Sequence, residues 1–305
     1  MNHHGVLLLD KPAGITSHDV VARVRRILST KAVGHAGTLD PMATGLLVLL
    51  IGEATKISDY LLNGTKGYDL ELKFGLKTDT LDVTGQILEE KSTESLKLEA
   101  IECEAENLTG ELELAVPKYS AIKVNGKKLL EKARAQETFD APTRLMNFFK
   151  LELQSFNRQE LSCRFFCSKG SYVRSWVQEL GERLDCGATL SYLRRIYSSP
   201  YKIEQAMSLE ALEQTPIATC SSFIPLSQCL QDWEAVTVSG RDEKLMRNGQ
   251  VPSDLAKRLI FQQKIANAQK KNLGIRVFQA SSGTLASLLE MQPNKSPKIK
   301  RVFRY

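Results

Sequence analysis

One segment restricts the fold more than any other: Gly34-His-Ala-Gly-Thr-Leu-Asp-Pro-Met-Ala-Thr-Gly45 runs straight into the apolar stretch Leu46 to Ile51. That stretch is too short to span a bilayer and suits a fully buried strand. The loop before it is shaped by three glycines and Pro41 around one carboxylate, Asp40. Glycine reaches backbone angles closed to other residues, and Pro41 both fixes its own φ and keeps Asp40 out of the helical region. Such a loop can hold a reactive group rigidly. An aspartate in a loop of this kind also commonly closes a turn through its own side chain, so Asp40 alone decides nothing.

The surrounding pattern is mixed. Gly5 to Leu9 reads as a buried strand, and Lys11-Pro-Ala-Gly14 as a turn leading to Ser17 as a helix N-cap. In the helix expected over 18–28, Val20, Val21, Val24, Ile27 and Leu28 recur at helical spacing and form a core stripe. A second helix is expected from Ala54 to Leu62, an acidic one over about 94–106, and one from Tyr172 to Leu184. Strands are expected at Tyr68 to Phe74, around Gln86 to Leu88, and near 148–156 and 161–167. Asn125-Gly126 reads as a turn, with a basic helix beginning at Lys127 and reaching Arg134. In the tail, a helix over roughly 253–268 accompanies strands at Ile275 to Ala280 and Lys300 to Phe303. The expected class is α+β, with a small β-rich domain at the end.

Charge divides the chain in the same place. Residues 236–305 carry 14 Lys/Arg against 4 Asp/Glu, whereas residues 1–235 carry 27 against 31. A basic tail attracts a polyanion by releasing its counterions, which favours a nucleic-acid partner over a merely solvated surface without proving one. A second basic stretch runs from Lys118 to Arg134. The six cysteines form no CxxC pair and only four histidines exist, so neither a zinc site nor a disulfide framework is suggested. The expectation is reduced thiols in a cytoplasmic protein, with no export signal and no membrane span. Asp79-Thr-Leu-Asp-Val-Thr-Gly85 lacks the spacing and terminal Glu of a calcium loop.

GHAGTLDPMATGLL resembles the signature loop of the TruB family of tRNA pseudouridine synthases over more than ten consecutive positions. The similarity continues, in family order, through DKPAGITSHD, KGYDLELKFGLKTDTLDVTG, YSAIKVNGKKL, CSKGSYVRSWVQELG and CGATLSYLRR, and covers about the first 200 residues. The resemblance implies a pseudouridine synthase catalytic domain over 1–235, with a central mixed, largely antiparallel sheet flanked by helices. It implies a basic RNA-gripping insertion at about 118–145 and a PUA-like RNA-binding domain over 236–305. The implied reaction breaks the N1–C1′ bond of a uridine, turns the uracil and rejoins it through C5, at position 55 in the T-loop of tRNA. No atoms are gained or lost, so no cofactor or metal is expected, in keeping with the absence of GxxxxGK[ST], GxGxxG and zinc spacing.

Roles follow from the same resemblance. Asp40 is the catalytic residue; ionised at neutral pH, a carboxylate can attack C1′ or remove a sugar proton. Tyr68 matches a tyrosine that stacks on the target base, Leu193 a leucine that packs against it, and His35 a histidine that fills space left by displaced bases. Tyr172 supports the pocket. Arg174 is informative from first principles too: in the first turn of a helix capped by Ser171, a cation opposes the helix dipole and needs an anionic partner. In the family that partner is the catalytic aspartate. Lys118, Lys123, Lys127 and Lys128 fall in the segment that grips the T-arm, where phosphate contacts help recover the cost of extruding a base.

Three other readings compete. A non-catalytic tRNA-binding and folding protein would need no carboxylate in the glycine-rich loop. A guide-RNA-dependent synthase is less well matched by a compact chain without long basic extensions. A glycosidase would require a second carboxylate opposite Asp40, and none appears in the matched motifs. The expected partner is therefore the T-arm of tRNA, with no guide RNA, and a monomer suffices.

Overall fold

The computed structural model describes residues 3–120, 122–124, 126–135, 137, 139–157, 159–266, 273–291 and 295–305. Its centre is a mixed eleven-stranded sheet. The principal strands are β1 (Gly5–Lys11), β2 (Thr44–Ile51), β3 (Lys66–Phe74), β4 (Gly110–Ala115), β5 (Thr143–Phe156), β6 (Glu160–Cys167) and β7 (Ala188–Ser198). They lie in the order β1-β2-β7-β3-β6-β5-β4, with short segments 207–208 and 223–225 beside β1, 33–35 beside β2 and 201–202 beside β7. Two pairings are parallel, β1 with 207–208 and β2 with β7; the others are antiparallel.

The uninterrupted apolar runs of β1 and β2 arise because this part of the sheet is covered on both faces. Leu7, Leu9, Leu47 and Leu49 point to one side, where they join helices α1 (Ser17–Ile27), α2 (Leu98–Asn107) and α3 (Val173–Arg183) through Val20, Val24, Ile101, Trp176 and Leu180. Val6, Leu8, Leu46, Val48 and Leu50 point to the other, against Leu285, Leu288 and Phe303 of the tail. The tail is a four-stranded sheet in the order β8 (Glu234–Val238), β9 (Leu273–Gln279), β10 (Leu285–Met291), β11 (Lys298–Val302), with α4 (Ser253–Ala266) closing a separate core over Leu255 and Leu259. Among the described residues no helix is long and apolar enough to cross a membrane.

Several local expectations change. The cap of α1 is Thr16, whose hydroxyl and the Asp19 carboxylate form a reciprocal capping box. Ser17 is thereby freed for another use. The segment 54–62 splits into a 3-10 turn, Gly52–Ile57, and a five-residue helix, Ser58–Leu62. The acidic helix starts only at Leu98, and the basic segment opens with a small hairpin pairing 123–124 with 127–128 before the helix Leu129–Arg134. Asn125 of the expected turn, and residues 267–268 of the expected tail helix, lie outside the described residues. Strands β4, β7, β8 and β10 fall outside the expected strands. In β7 the pairing with β3 is irregular between Leu190 and Tyr192 and again between Arg195 and Tyr197, which erases the alternation that marks a strand.

On the face of the sheet opposite Tyr68, charges alternate across the strands. Arg194 grips Asp10 through both terminal nitrogens at 3.0 and 2.6 Å, stands opposite Asp69 in register, and Asp69 in turn holds Arg164 at 2.5 and 2.9 Å. Bidentate pairs of this kind have geometric demands, so they pin the register of β1, β7, β3 and β6.

The parallel contact of β2 with β7 demands glycine at 45. Its φ is +97°, and a Cβ there would stand 2.4 Å from the Arg195 carbonyl oxygen. Gly45→Ala is expected to cost about 2–3 kcal/mol of stability, read as a lowered urea midpoint. A pH effect arises from Cys163 and Cys167, whose thiols burial pushes up to about 12. The unfolded chain releases those protons nearer 9, so the stability they contribute is intact below that pH and is lost as pH rises toward 12. The urea midpoint should fall across that window, and fall less in Cys163→Ala/Cys167→Ala.

Candidate active site

The loop before β2 is tied down from three directions. From α1, the Ser17 hydroxyl accepts from the Leu39 amide at 2.9 Å and donates to the Leu39 carbonyl at 3.0 Å. From β1 and its following turn, the Lys11 ammonium donates to the carbonyls of Pro12, Ile15 and Pro41, and the Gly14 amide donates to Pro41 at 2.8 Å. From β7, the Arg195 guanidinium donates to the carbonyls of Leu46, Thr38 and Gly37. Asp40 therefore has its neighbours fixed on both sides, and its own carbonyl closes a turn by accepting from the Ala43 amide at 3.1 Å. Its carboxylate is not used in the turn.

That carboxylate faces Arg174. The Arg174 guanidinium stands 2.9 Å from the Asp40 carboxylate, with the arginine side chain 6% exposed and the aspartate 39%. Arg174 is in the first turn of α3, but Tyr172 rather than Ser171 occupies the cap position, and it makes no side-chain capping bond. The Ser171 hydroxyl instead accepts from the Asn147 amide. Arg174 also donates to the Thr80 carbonyl at 3.0 Å and the Tyr119 carbonyl at 3.2 Å, so its aim is set by two backbone acceptors before any carboxylate is considered.

The segment 79–86 is a support for that arginine. Asp82 accepts from the Thr80 hydroxyl and from the amide and hydroxyl of Thr84, and Asp79 accepts from the Gln86 amide and the Tyr119 hydroxyl. Both carboxylates are engaged in shaping the loop. Among the described residues no three His, Cys, Asp or Glu side chains are grouped to hold a metal.

The remaining residues singled out in the sequence fall into two groups. Tyr68 on β3 is half-buried and stands opposite Arg195 on β7; burial raises its phenol pKa, and the Arg195 guanidinium opposes that rise. Tyr172 is also half-buried, its phenol raised by burial, and the Asp40 charge acts on both rings. Leu193 is buried opposite Leu70 within the main core. His35 is half-buried, edge-on to His18 at 5.5 Å; burial, then His18 and Arg195, depress its pKa, which leaves the imidazole neutral at physiological pH. Lys118, Lys123 and Lys127 are exposed in a different stretch, linked to the site only because Tyr119, next to Lys118, lends its carbonyl to Arg174. Lys127 also pairs with Glu137 at 3.6 Å, and the Lys128 side chain lies outside the described residues.

Sequence reasoning missed Lys11, Ser17 and Arg195. A signal existed for Lys11, a charge that ends the strand begun by the apolar run Gly5 to Leu9 and, being buried, must find partners. Arg195 lies on β7, whose broken alternation gave no such signal. Burial depresses Lys11 to about 8, partly offset by Asp40.

Solved structures share this architecture. A chain of a Cbf5–Nop10–Gar1 complex superimposes with a TM-score of 0.67 over 98% of this chain and 84% of that one, at 20% identity. A chain of an H/ACA RNP bound to a substrate RNA containing 2′-deoxyuridine gives 0.66 over 99% and 85%, at 18%. At these identities the likeness defines the fold, that of a pseudouridine synthase. Sequence comparison is more specific. A profile of the TruB family pseudouridylate synthase N-terminal domain matches residues 25–173, and one of the tRNA pseudouridylate synthase B C-terminal domain matches 174–237. The tRNA pseudouridine synthase B of Bdellovibrio bacteriovorus is 45% identical over 304 residues, covering 99% of this chain and 97% of its own. That of Geobacillus thermodenitrificans is 41% identical over 254 residues, 80% and 84% of the two chains. The chain belongs to the TruB family of tRNA pseudouridine synthases, enzymes that isomerise uridine to pseudouridine in tRNA.

Ser17→Ala removes both bonds to Leu39 while leaving the Thr16 cap of α1 intact. We expect about 1–2 kcal/mol of lost stability and a reduced kcat, with tRNA affinity measured by filter binding unchanged.

Proposed function

We propose that the chain forms pseudouridine at position 55 in the T-loop of tRNA, and that Asp40 is the group that acts on the ribose. The observation that carries this reading is the pair of a buried arginine, Arg174, with a carboxylate that remains partly open to solvent, Asp40. Its backbone is locked by the loop while its side chain stays 39% exposed, so the carboxylate can be reached by a ligand.

In the proposed reaction the target uridine is flipped out of the T-loop and enters between Asp40 and Tyr68. Asp40 breaks the N1–C1′ bond, either by attack at C1′ or by removing a proton from the sugar. The uracil turns, C5 bonds to C1′, and the C5 proton is lost as N1 regains one, so atoms balance without a cofactor. Tyr68 stacks on the base and Leu193 packs against it, Arg174 holds the Asp40 carboxylate, Tyr172 lines the pocket, and neutral His35 fills the space vacated by displaced bases. The exposed Lys118, Lys123 and Lys127, with Lys128, follow the T-arm backbone, where each phosphate contact adds salt-sensitive affinity. Residues 1–235 form the catalytic domain, with the insertion at about 118–145, and 236–305 a PUA-like RNA-binding domain. The enzyme works in the cytoplasm as a monomer. Near full-length similarity to proteins named tRNA pseudouridine synthase B supports the stand-alone reaction over a guide-dependent one.

The test is pseudouridine at position 55 of unmodified tRNA, detected by chemical labelling and primer extension, with wild type and Asp40→Asn. Wild type should modify the tRNA, and Asp40→Asn should lose at least about 10⁴-fold in rate with binding retained. Tight binding by wild type without pseudouridine formation would sink the proposal.

A further inference from the structure

Arg195 is 1% exposed and is among the largest fully buried side chains of the protein. Among the described residues it has no carboxylate within ion-pair distance; its guanidinium donates to the backbone carbonyls of Leu46 at 2.7 Å, Gly37 at 3.1 Å and Thr38 at 3.4 Å, and the Tyr68 hydroxyl stands within its hydrogen-bonding reach. An enclosed charge without a counter-ion is a poor way to stabilise a fold, since apolar replacements of buried ionic groups are often neutral or stabilising. Its acceptors have a pattern. Gly37 and Thr38 precede Asp40 by three and two residues, and Leu46 lies beyond it within the buried part of β2. One planar guanidinium thus spans the loop on both sides of the carboxylate. Gly37, at φ +112°, turns its carbonyl toward this group, and a Cβ there would already touch the guanidinium at 3.4 Å.

The base of the same side chain is equally placed. Arg195 lies on β7 directly opposite Tyr68 on β3, in antiparallel register, so both side chains leave the same face of the sheet. The guanidinium is close enough to the Tyr68 hydroxyl to counteract the effect of burial on it. Arg174 holds the Asp40 carboxylate from α3, whereas Arg195 holds the backbone around Asp40 and stands beside the ring of Tyr68.

We propose that Arg195 is a positioning residue for the isomerisation, setting the separation between the Asp40 loop and the Tyr68 ring so that the flipped nucleotide is held between them in reactive alignment. This rests on the reading of Asp40 as the catalytic group. Lysine can supply the charge at this position but not the planar fork that reaches three carbonyls. Misplacement of a reactive group by about 1 Å can cost on the order of 100-fold in rate.

The experiment compares wild type, Arg195→Met, Arg195→Lys and Asp40→Asn, using full-length unmodified tRNA. Single-turnover rate at saturating enzyme, tRNA Kd by filter binding and thermal unfolding are measured for each. The expected result for Arg195→Met is a rate lower by about 100-fold with Kd within about threefold of wild type and a retained cooperative unfolding transition. Arg195→Lys should recover at least about tenfold of that loss, because charge and part of the reach return. The proposal is overturned if folded Arg195→Met keeps a near wild-type rate, or if Arg195→Lys is no better than Arg195→Met. It is also overturned if rate, affinity and the unfolding transition are lost together in both variants, which would make the arginine purely structural. Pseudouridine formation by wild type together with an inactive Asp40→Asn separates these outcomes from a failure of the catalytic assignment itself.

Discussion

The close approach of β2 to β7 is the constraint on which the rest of this structure depends. At Gly45 the two strands meet backbone to backbone, in one of the few parallel contacts of a largely antiparallel sheet. Because no side chain intervenes, the loop that ends at Gly45 is drawn against the strand carrying Leu193 and Arg195. Everything chemically interesting then lies within reach: Asp40 on the loop, Tyr68 on the next strand across, and Arg174 arriving from α3. A bulkier residue at 45 would push the loop, and Asp40 with it, away from Tyr68 and Arg174.

The electrostatics of the site are graded by burial. Two arginines are almost fully enclosed, and each is satisfied first by backbone carbonyls, Thr80 and Tyr119 for Arg174 and Gly37, Thr38 and Leu46 for Arg195. Carbonyls are dipoles fixed by the fold, so they hold the cations in place without neutralising them. The positive field of Arg195 bears on Lys11, His35 and Lys66, each already made harder to protonate by burial. Among the described residues, the carboxylate paired with one of these two arginines is Asp40, and it keeps contact with solvent. Charge preorganised around a partly open anion in this way leaves little to reorganise when a ligand arrives.

The two faces of the central sheet divide the labour. On the face of Tyr68, Leu193 and Arg195, side chains build the site and the main core. On the opposite face the residues Asp10, Arg194, Asp69 and Arg164 link β1, across β2, to β7, β3 and β6. Each of three strands thus alternates a residue near the site with one that fixes its register: Lys11 with Asp10, Arg195 with Arg194, Tyr68 with Asp69. A slip by one residue would exchange the two sets, so the charged row protects the site as well as the sheet.

Much of this was legible in the linear chain. Apolar periodicity placed α1 and α3, the runs Gly5 to Leu9 and Leu46 to Ile51 announced strands covered on both sides, and the glycine and proline content of 34–45 marked a rigid loop around Asp40. Resemblance located the family, and the first-turn position of Arg174 required an anion. What the chain could not disclose are contacts between residues far apart in sequence. Strand β7 was hidden because two irregular pairings break its alternation, and with it went the recognition of Arg195 as the tie across the loop. Ser17 looked like a helix cap until Thr16 was seen to fill that role, which released its hydroxyl for Leu39. Local propensity and pattern are properties of neighbouring residues, and they determined the elements, the charge of the tail and the identity of the one loop carboxylate. The alignment of Asp40 with Arg174, 134 positions later, and with Tyr68 depends on sheet order and strand register, long-range terms that only the packed tertiary structure decided.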